Sequence, residues 1–81
     1  MPTKRNQALI YKKVPIFLRE RRKKAGLTQR QLADRIRQSQ WWVARSETGS
    51  RRIDVAEFIE FCIGCKVDPA EALTDLVKRR R

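Results

Sequence analysis

The chain has 81 residues, of which 20 are Lys or Arg and 9 are Asp or Glu, so its net charge is +11 near neutral pH. This length fits one small domain, and the lack of histidine removes the commonest general base and zinc ligand. No apolar run approaches the roughly 20 residues of a membrane span, and the apolar run 8–11 is too short for the hydrophobic region of a signal peptide. Two cysteines do not make a disulfide framework. We therefore expect a cytoplasmic protein that is not an enzyme, uses no cofactor or metal, and does not enter a membrane.

The charges divide the chain into a basic part and an acidic part. Residues 1–52 carry a net charge of +12, residues 53–77 carry −5, and residues 78–81 add +4. A basic segment of this kind is typical of a surface that faces a polyanion, with the acidic segment facing elsewhere. A merely solvated surface is the alternative that charge alone leaves open.

The residue pattern predicts helices and no strand. Residues 1–13 form a basic, flexible N-terminal arm in this interpretation, because their first seven residues are polar. A first helix is predicted over about residues 15–25, since proline suits the first helical position and Gly26 ends the run. A longer helix that kinks at Pro15 is the alternative.

Each of the next four predicted helices begins at a residue that can cap its N-terminus. Thr28 is followed three residues later by Gln31, the spacing of a capping box. The predicted spans are 29–37, 40–48, 55–65 and 69–78, with Thr28, Ser39, Asp54 and Asp68 as caps. We therefore predict one folded domain over residues 14–77, followed by a basic C-terminal tail over residues 78–81.

The second and third predicted helices are joined by three residues, the short connection of a helix-turn-helix. The segments 27–33 (LTQRQLA) and 40–49 (QWWVARSETG) resemble the lambda-repressor-like helix-turn-helix family, also called the Cro/repressor or Xre family. The resemblance covers residues 14–77. It implies a compact, all-α domain of five helices that places its third helix in the major groove of double-stranded DNA.

The outward face of the third predicted helix carries the candidate base-reading residues. At 100° per residue, Val43 and Glu47 point inward and the opposite side points outward. Glutamine suits the adenine edge and arginine the guanine edge, while Trp41 offers apolar area to a thymine methyl group or a sugar. The candidates are Gln40, Trp41, Ala44, Arg45 and Thr48.

Candidate phosphate contacts lie outside that helix. The resemblance implies that Gln29 holds a phosphate at the start of the second predicted helix, where backbone N–H groups also attract anions. The loop after Gly49 supplies further donors. The candidates are Gln29, Arg30, Ser50, Arg51 and Arg52, and Arg30 and Arg37 are the weaker ones. The basic pairs 4–5 and 12–13 either extend along DNA or remain solvated.

Glu47 is expected to face inward, and an unpaired inward carboxylate is costly. The resemblance implies that Arg22 pairs with it in a structural salt bridge.

Two positions depart from the family: Arg37 and Lys66 stand where glycine is usual, and a non-glycine residue at positive φ costs about 1 kcal/mol. The motif Cys62-Ile63-Gly64-Cys65 lies at a helix end, so we predict core cysteines instead of a redox or zinc site.

These observations predict a sequence-specific DNA-binding transcriptional regulator, specifically a repressor that binds an inverted repeat as a homodimer. Leu73, Leu76 and Val77 are expected near the dimer axis. The alternatives are an antitoxin with a toxin partner, a restriction-modification controller, or an adaptor that binds proteins through its acidic 53–77 face.

Overall fold

The computed structural model describes the backbone of residues 4–78 and the side chains of residues 8–78. Within these residues every regular element is a helix. The helices are α1 (Lys4–Tyr11), α2 (Lys13–Lys24), α3 (Gln29–Ile36), α4 (Gln40–Thr48), α5 (Val55–Gly64) and α6 (Pro69–Lys78). The predicted all-α fold is confirmed, and α2–α6 correspond to its five helices. The basic C-terminal tail lies outside the described residues beyond Lys78.

The N-terminal segment differs from its prediction. Where a flexible arm was expected, residues 4–11 form α1, and Lys12 keeps helical backbone angles (φ −55°, ψ −27°) between α1 and α2. Pro15 is the third residue of α2, where its missing N–H leaves no hydrogen bond unmade. The segment therefore resembles the alternative of one longer, interrupted helix, but the interruption lies at Lys12 and not at Pro15.

The helix starts follow from side-chain caps. The Thr28 hydroxyl accepts the N–H of Gln31 (3.1 Å), whose own side chain accepts the Thr28 N–H (2.9 Å). Asp54 caps α5 with the same reciprocal pair of bonds to the residue three positions later. Ser39 caps α4 by accepting the Trp42 N–H at 3.0 Å. These local bonds fix where α3, α4 and α5 begin.

Two non-glycine residues adopt left-handed backbone angles. Arg37 has φ 58° directly after α3, and Lys66 has φ 57° shortly after α5. These are the two positions at which the family usually has glycine. The turn geometry of a helix-turn-helix is therefore retained between α3 and α4 despite the arginine, at a cost of about 1 kcal/mol.

The core lies where α2, α3, α4 and α5 meet. Its fully buried members include Leu18, Leu32, Val43 and Phe61, one from each of these helices. α5 approaches α3 so closely that a Cβ on Gly64 would lie 2.6 Å from the Ile36 side chain. The helix pair α3–α4 therefore packs between α2 and α5 at the centre of the domain. A shift of α4 would open this core.

α6 covers a second, smaller cluster of Phe17, Cys62 and Ala72, against which the half-buried Leu76 packs. Cys62 and Cys65 are free thiols and are only 2% and 3% exposed. Burial raises the pKa of each thiol to about 11. Both thiols therefore stay protonated near neutral pH, which is the state of a core cysteine and not of a reactive one.

Candidate nucleic-acid interface

α4 presents a polar face to solvent and buries the opposite one. Trp42, Val43, Ser46 and Glu47 are buried. On the outward face Trp41 is 61% exposed, and Ala44 is half-buried. The exposed residues are Gln40, Trp41, Arg45 and Thr48. The division is the one that the helical period predicted, so the five candidate base-reading residues all reach the outer half of the helix.

Arg45 is held in place from two sides. Its guanidinium carbon lies 5.1 Å from the centre of the Trp41 ring, which is a cation–π contact one helical turn apart. Its Nη1 donates to the Ser50 hydroxyl at 3.4 Å. The two contacts place the Arg45 guanidinium between Trp41 and Ser50 on the outward face of α4.

The C-terminal end of α4 is tied to the loop that follows it. The Thr48 hydroxyl lies 3.0 Å from that of Ser50, and the backbone N–H of Arg51 donates to the Arg45 carbonyl at 3.2 Å. Gly49 closes the helix with φ 83°, and a Cβ there would meet Pro15 at 3.0 Å. The loop therefore stays beside the outward face of α4.

Trp42 is structural in this arrangement. Its ring is buried in the core cluster, and the small Ser46 one turn later donates its hydroxyl to the Trp42 carbonyl at 2.8 Å. The Arg51 guanidinium covers the ring at 4.8 Å from its centre. The indole thus anchors α4 to the domain, while the neighbouring Trp41 faces outward.

Arg51 is half-buried and pairs with a carboxylate of the same chain. It forms a two-point ion pair with Glu57, with Nη1 to Oε1 at 3.2 Å and Nη2 to Oε2 as the second bond. The hydrogen bonds from Arg51, and then the N–H of Asp54, lower the pKa of Glu57 below its ordinary value. Arg51 therefore joins the loop to the start of α5, and a phosphate contact by this residue would compete with Glu57.

The other predicted phosphate contacts occupy different settings. The amide of Gln29 donates to Oε1 of Glu47 at 3.2 Å, and the residue is half-buried at the first position of α3. Arg30 is exposed in the same turn. Arg52 is exposed, and its guanidinium lies over the ring of Tyr11 at 4.3 Å from the ring centre. Arg30 and Arg52 are thus the more accessible charges of the set, while Gln29 supports Glu47.

Arg22 and Glu47 form a buried ion pair behind α4. They are 8% and 7% exposed, and Nε and Nη2 of Arg22 donate to the two carboxylate oxygens at 2.6 and 3.0 Å. The remaining Nη1 of Arg22 donates to the Leu27 carbonyl at 2.8 Å. The pair ties the C-terminal half of α4 to α2 and to the turn before α3.

Tyr11 is a residue that the sequence pattern did not single out. Its hydroxyl accepts the backbone N–H of Ile53 at 2.6 Å while its ring carries Arg52. A single aromatic residue in a basic segment gives no helical or loop signal of its own. The contact joins residues 42 positions apart, and local pattern does not encode such a pairing.

Two kinds of site are not found among the residues described. Between residues 4 and 78, no helix has both the length and the apolar character needed to cross a membrane. The same residues contain no group of three Cys, Asp or Glu side chains placed to hold a metal ion.

Comparison with known proteins gives the chain its family. The helix-turn-helix domain family matches residues 16–74. A solved structure of an XRE-family like protein from Pseudomonas syringae pv. tomato str. DC3000 is similar, with a TM-score of 0.83 and 38% identity over 89% of this chain and 88% of that one.

A second similar structure is that of the clp gene regulator ClgR from C. glutamicum. Its TM-score is 0.76 at 22% identity, over 85% of this chain and 90% of that one, a likeness of fold alone. No curated protein matches the sequence at a significant level. Because the family model covers most of the chain and the Pseudomonas structure is 38% identical over 89% of it, this chain belongs to the Xre-type helix-turn-helix family of DNA-binding regulators.

Proposed function

We propose that the chain is a repressor that recognises a specific inverted-repeat operator as a homodimer. The observation that carries the proposal is the outward face of α4, on which Trp41 orients Arg45 at 5.1 Å beside the exposed Gln40 and Thr48. These groups offer hydrogen bonds and apolar area at the helix that the family docks in the major groove. Arg45 reads guanine, Gln40 reads adenine, and Trp41 contacts a thymine methyl group or a sugar.

Phosphate contacts fix the position of α4 in the groove in this proposal. Arg30, in the first turn of α3, and Arg52, in the loop after α4, supply exposed charge. Ser50 adds a hydroxyl beside Arg45, and Gln29 and Arg51 contribute as secondary donors because each already bonds a carboxylate. Such contacts provide most of the affinity but little sequence preference.

Exposed apolar side chains on α6 and α5 support the dimer. Leu73 and Val77 are 54% and 56% exposed and lie one turn apart on α6, and Ile59 and Ile63 are similarly spaced on α5. Each of these two pairs is an exposed apolar surface of the kind that marks interaction sites, and a two-fold interface uses the same surface on both chains. Leu76 is half-buried against the Phe17 cluster. Its part in the dimer is therefore to support Leu73 and Val77 from the inner side of α6.

Selection of bound sites from random DNA tests the operator. We expect two half-sites in inverted orientation, with centres about 34–36 Å apart along the duplex. A selected site without internal symmetry would contradict the inverted repeat, and failure to enrich any sequence would contradict specific recognition.

Sedimentation of the complex on the selected duplex tests the dimer. We expect two chains per duplex for the parent, and loss of cooperative binding for Val77→Lys. Thr74→Lys is the matched control, because it adds the same charge at an exposed position of the same helix. One chain per duplex at saturating protein would overturn the homodimer.

A reporter gene tests repression. With the selected site placed across its promoter, we expect expression of the parent chain to lower the reporter signal, because bound protein blocks access to the promoter. A scrambled site is the control. A rise in signal would indicate an activator, as in the controller alternative.

A further inference from the structure

The N-terminal helix α1 contacts the loop between α4 and α5 through one side chain. The Tyr11 hydroxyl accepts the N–H of Ile53 at 2.6 Å, and the residue is half-buried. The partner lies 42 positions away in the sequence. One bond thus anchors the backbone of the loop directly after Arg52.

The ring of the same tyrosine carries the side chain of Arg52. The guanidinium carbon lies 4.3 Å from the ring centre, the shortest of the four cation–π contacts among the described residues. A cation–π contact is an electrostatic attraction to the ring and does not require the N–H donors of the guanidinium. The contact therefore holds the Arg52 side chain beside Tyr11 without depending on its hydrogen-bond donors.

The pair lies next to the candidate interface. Tyr11 and Arg52 line one cleft of about 450 Å³ with Thr48, Gly49 and Lys12. Thr48 is the last residue of α4 and belongs to its outward face. The side chains of Lys12 and Arg52 thus lie at the same cleft as the C-terminal end of α4, the helix that enters the groove in the proposed function. Tyr11 itself lies before the matched helix-turn-helix domain, which begins at residue 16.

We propose that Tyr11 is a positioning residue for DNA binding, which presents Arg52 to a backbone phosphate beside the C-terminal end of α4. The inference rests on the proposed function, since it requires that α4 enters the groove. In this inference α1 contributes to DNA binding through Tyr11, in addition to the residues of the helix-turn-helix domain.

The physical reason is pre-organisation. A free arginine side chain has many rotamers and loses this freedom when it binds a phosphate. On the Tyr11 ring, with the adjacent backbone held by the Ile53 bond, Arg52 has lost much of that freedom before DNA arrives. The gain applies to any sequence, because a phosphate contact carries no base information.

The test is a double-mutant cycle on Tyr11 and Arg52, read by titration against the selected duplex and a scrambled duplex at several salt concentrations. Tyr11→Leu removes the ring and the hydroxyl, and we expect it to weaken binding to both duplexes by about 3- to 10-fold. Tyr11→Phe keeps the ring and is the conservative control, with a smaller loss. In the Arg52→Ala background, Tyr11→Leu should have no further effect on affinity. Thermal melts of all variants confirm that each is folded at the titration temperature.

The outcomes separate the inference from the function on which it rests. If the parent binds neither duplex, the proposed function fails and the inference falls with it. If the parent binds and Tyr11→Leu binds equally well, the inference alone is overturned. If Tyr11→Leu weakens binding equally with and without Arg52, Tyr11 only supports the fold, and the positioning role is overturned. Loss that depends on Arg52 and is rescued by Tyr11→Phe supports the inference.

Discussion

Arg22 and Glu47 join through two parallel hydrogen bonds that cross from α2 to α4, at 2.6 and 3.0 Å. Gln29 adds a third donor to the same carboxylate at 3.2 Å. Glu47 lies on the buried side of α4, one residue before Thr48 on the outward side. The orientation of α4 therefore depends on a charge pair on its buried side.

Arg22→Ala is expected to destabilise the fold, because it leaves the Glu47 carboxylate buried without its cation. Breaking a buried pair by removing one partner lowers the free energy of unfolding by roughly 3–5 kcal/mol, a large part of the stability of a small domain. Thermal unfolding of the variant measures the loss. Arg19→Ala, at an exposed position of α2, is the matched control. A melting temperature within a degree or two of the parent would show that the pair contributes little.

The helices that the sequence predicted are those with local start signals. Thr28, Ser39 and Asp54 each cap the helix that they were expected to cap, since a cap needs only residues within one turn. The faces of α4 were predictable for the same reason, because the helical period decides them. The pairing of Arg22 with Glu47 followed from family resemblance, not from spacing along the chain.

The partner that a given side chain takes was not always predictable. Arg51 was expected at a phosphate, yet it pairs with Glu57, six positions later at the start of α5. α1 has no acidic residue in its first turn, and the lysines at positions 12 and 13 favoured the interpretation of a solvated arm. Which partner an arginine takes depends on tertiary geometry, and the sequence supplies several carboxylates for each.

Arg37→Gly is expected to stabilise the fold. Arg37 holds φ 58° in the turn between α3 and α4, a region that glycine enters without steric penalty. The free energy of unfolding should rise by about 1 kcal/mol. Asp34→Gly is the control, because it places glycine at an exposed helical position, where it should destabilise. Equal destabilisation by both changes would mean that Arg37 makes contacts worth more than its backbone penalty.

The pair of Arg51 and Glu57 predicts a pH dependence. The hydrogen bonds from Arg51 lower the pKa of Glu57 below its ordinary value of 4.5. A carboxylate with a lowered pKa in the folded state stabilises the fold above its unfolded pKa, and this contribution is lost as the pH falls through the lowered value. Glu57→Gln should therefore flatten the fall of stability below about pH 4.5. Glu60→Gln, an exposed change in the same helix, should leave the fall as in the parent.

Arg45→Ala and Arg52→Ala separate base reading from phosphate binding, and each is the control for the other. Arg45 lies against Trp41 on the outward face of α4, whereas Arg52 lies in the loop on Tyr11. Arg45→Ala should cost about 1–3 kcal/mol on the selected site and relax the preference at one base pair. Arg52→Ala should weaken selected and scrambled duplexes alike.

The salt dependence of binding decides between the two roles, because releasing counterions from one phosphate contact changes the slope of log K against log salt by roughly 0.9. Arg52→Ala should reduce the slope by about this amount on either duplex. Arg45→Ala should leave the slope on the scrambled duplex as in the parent, since base edges hold no condensed counterions. If Arg45→Ala instead weakens both duplexes equally and lowers the slope, Arg45 binds a phosphate, and base reading passes to Gln40 and Trp41. If neither change affects binding, α4 does not enter the groove.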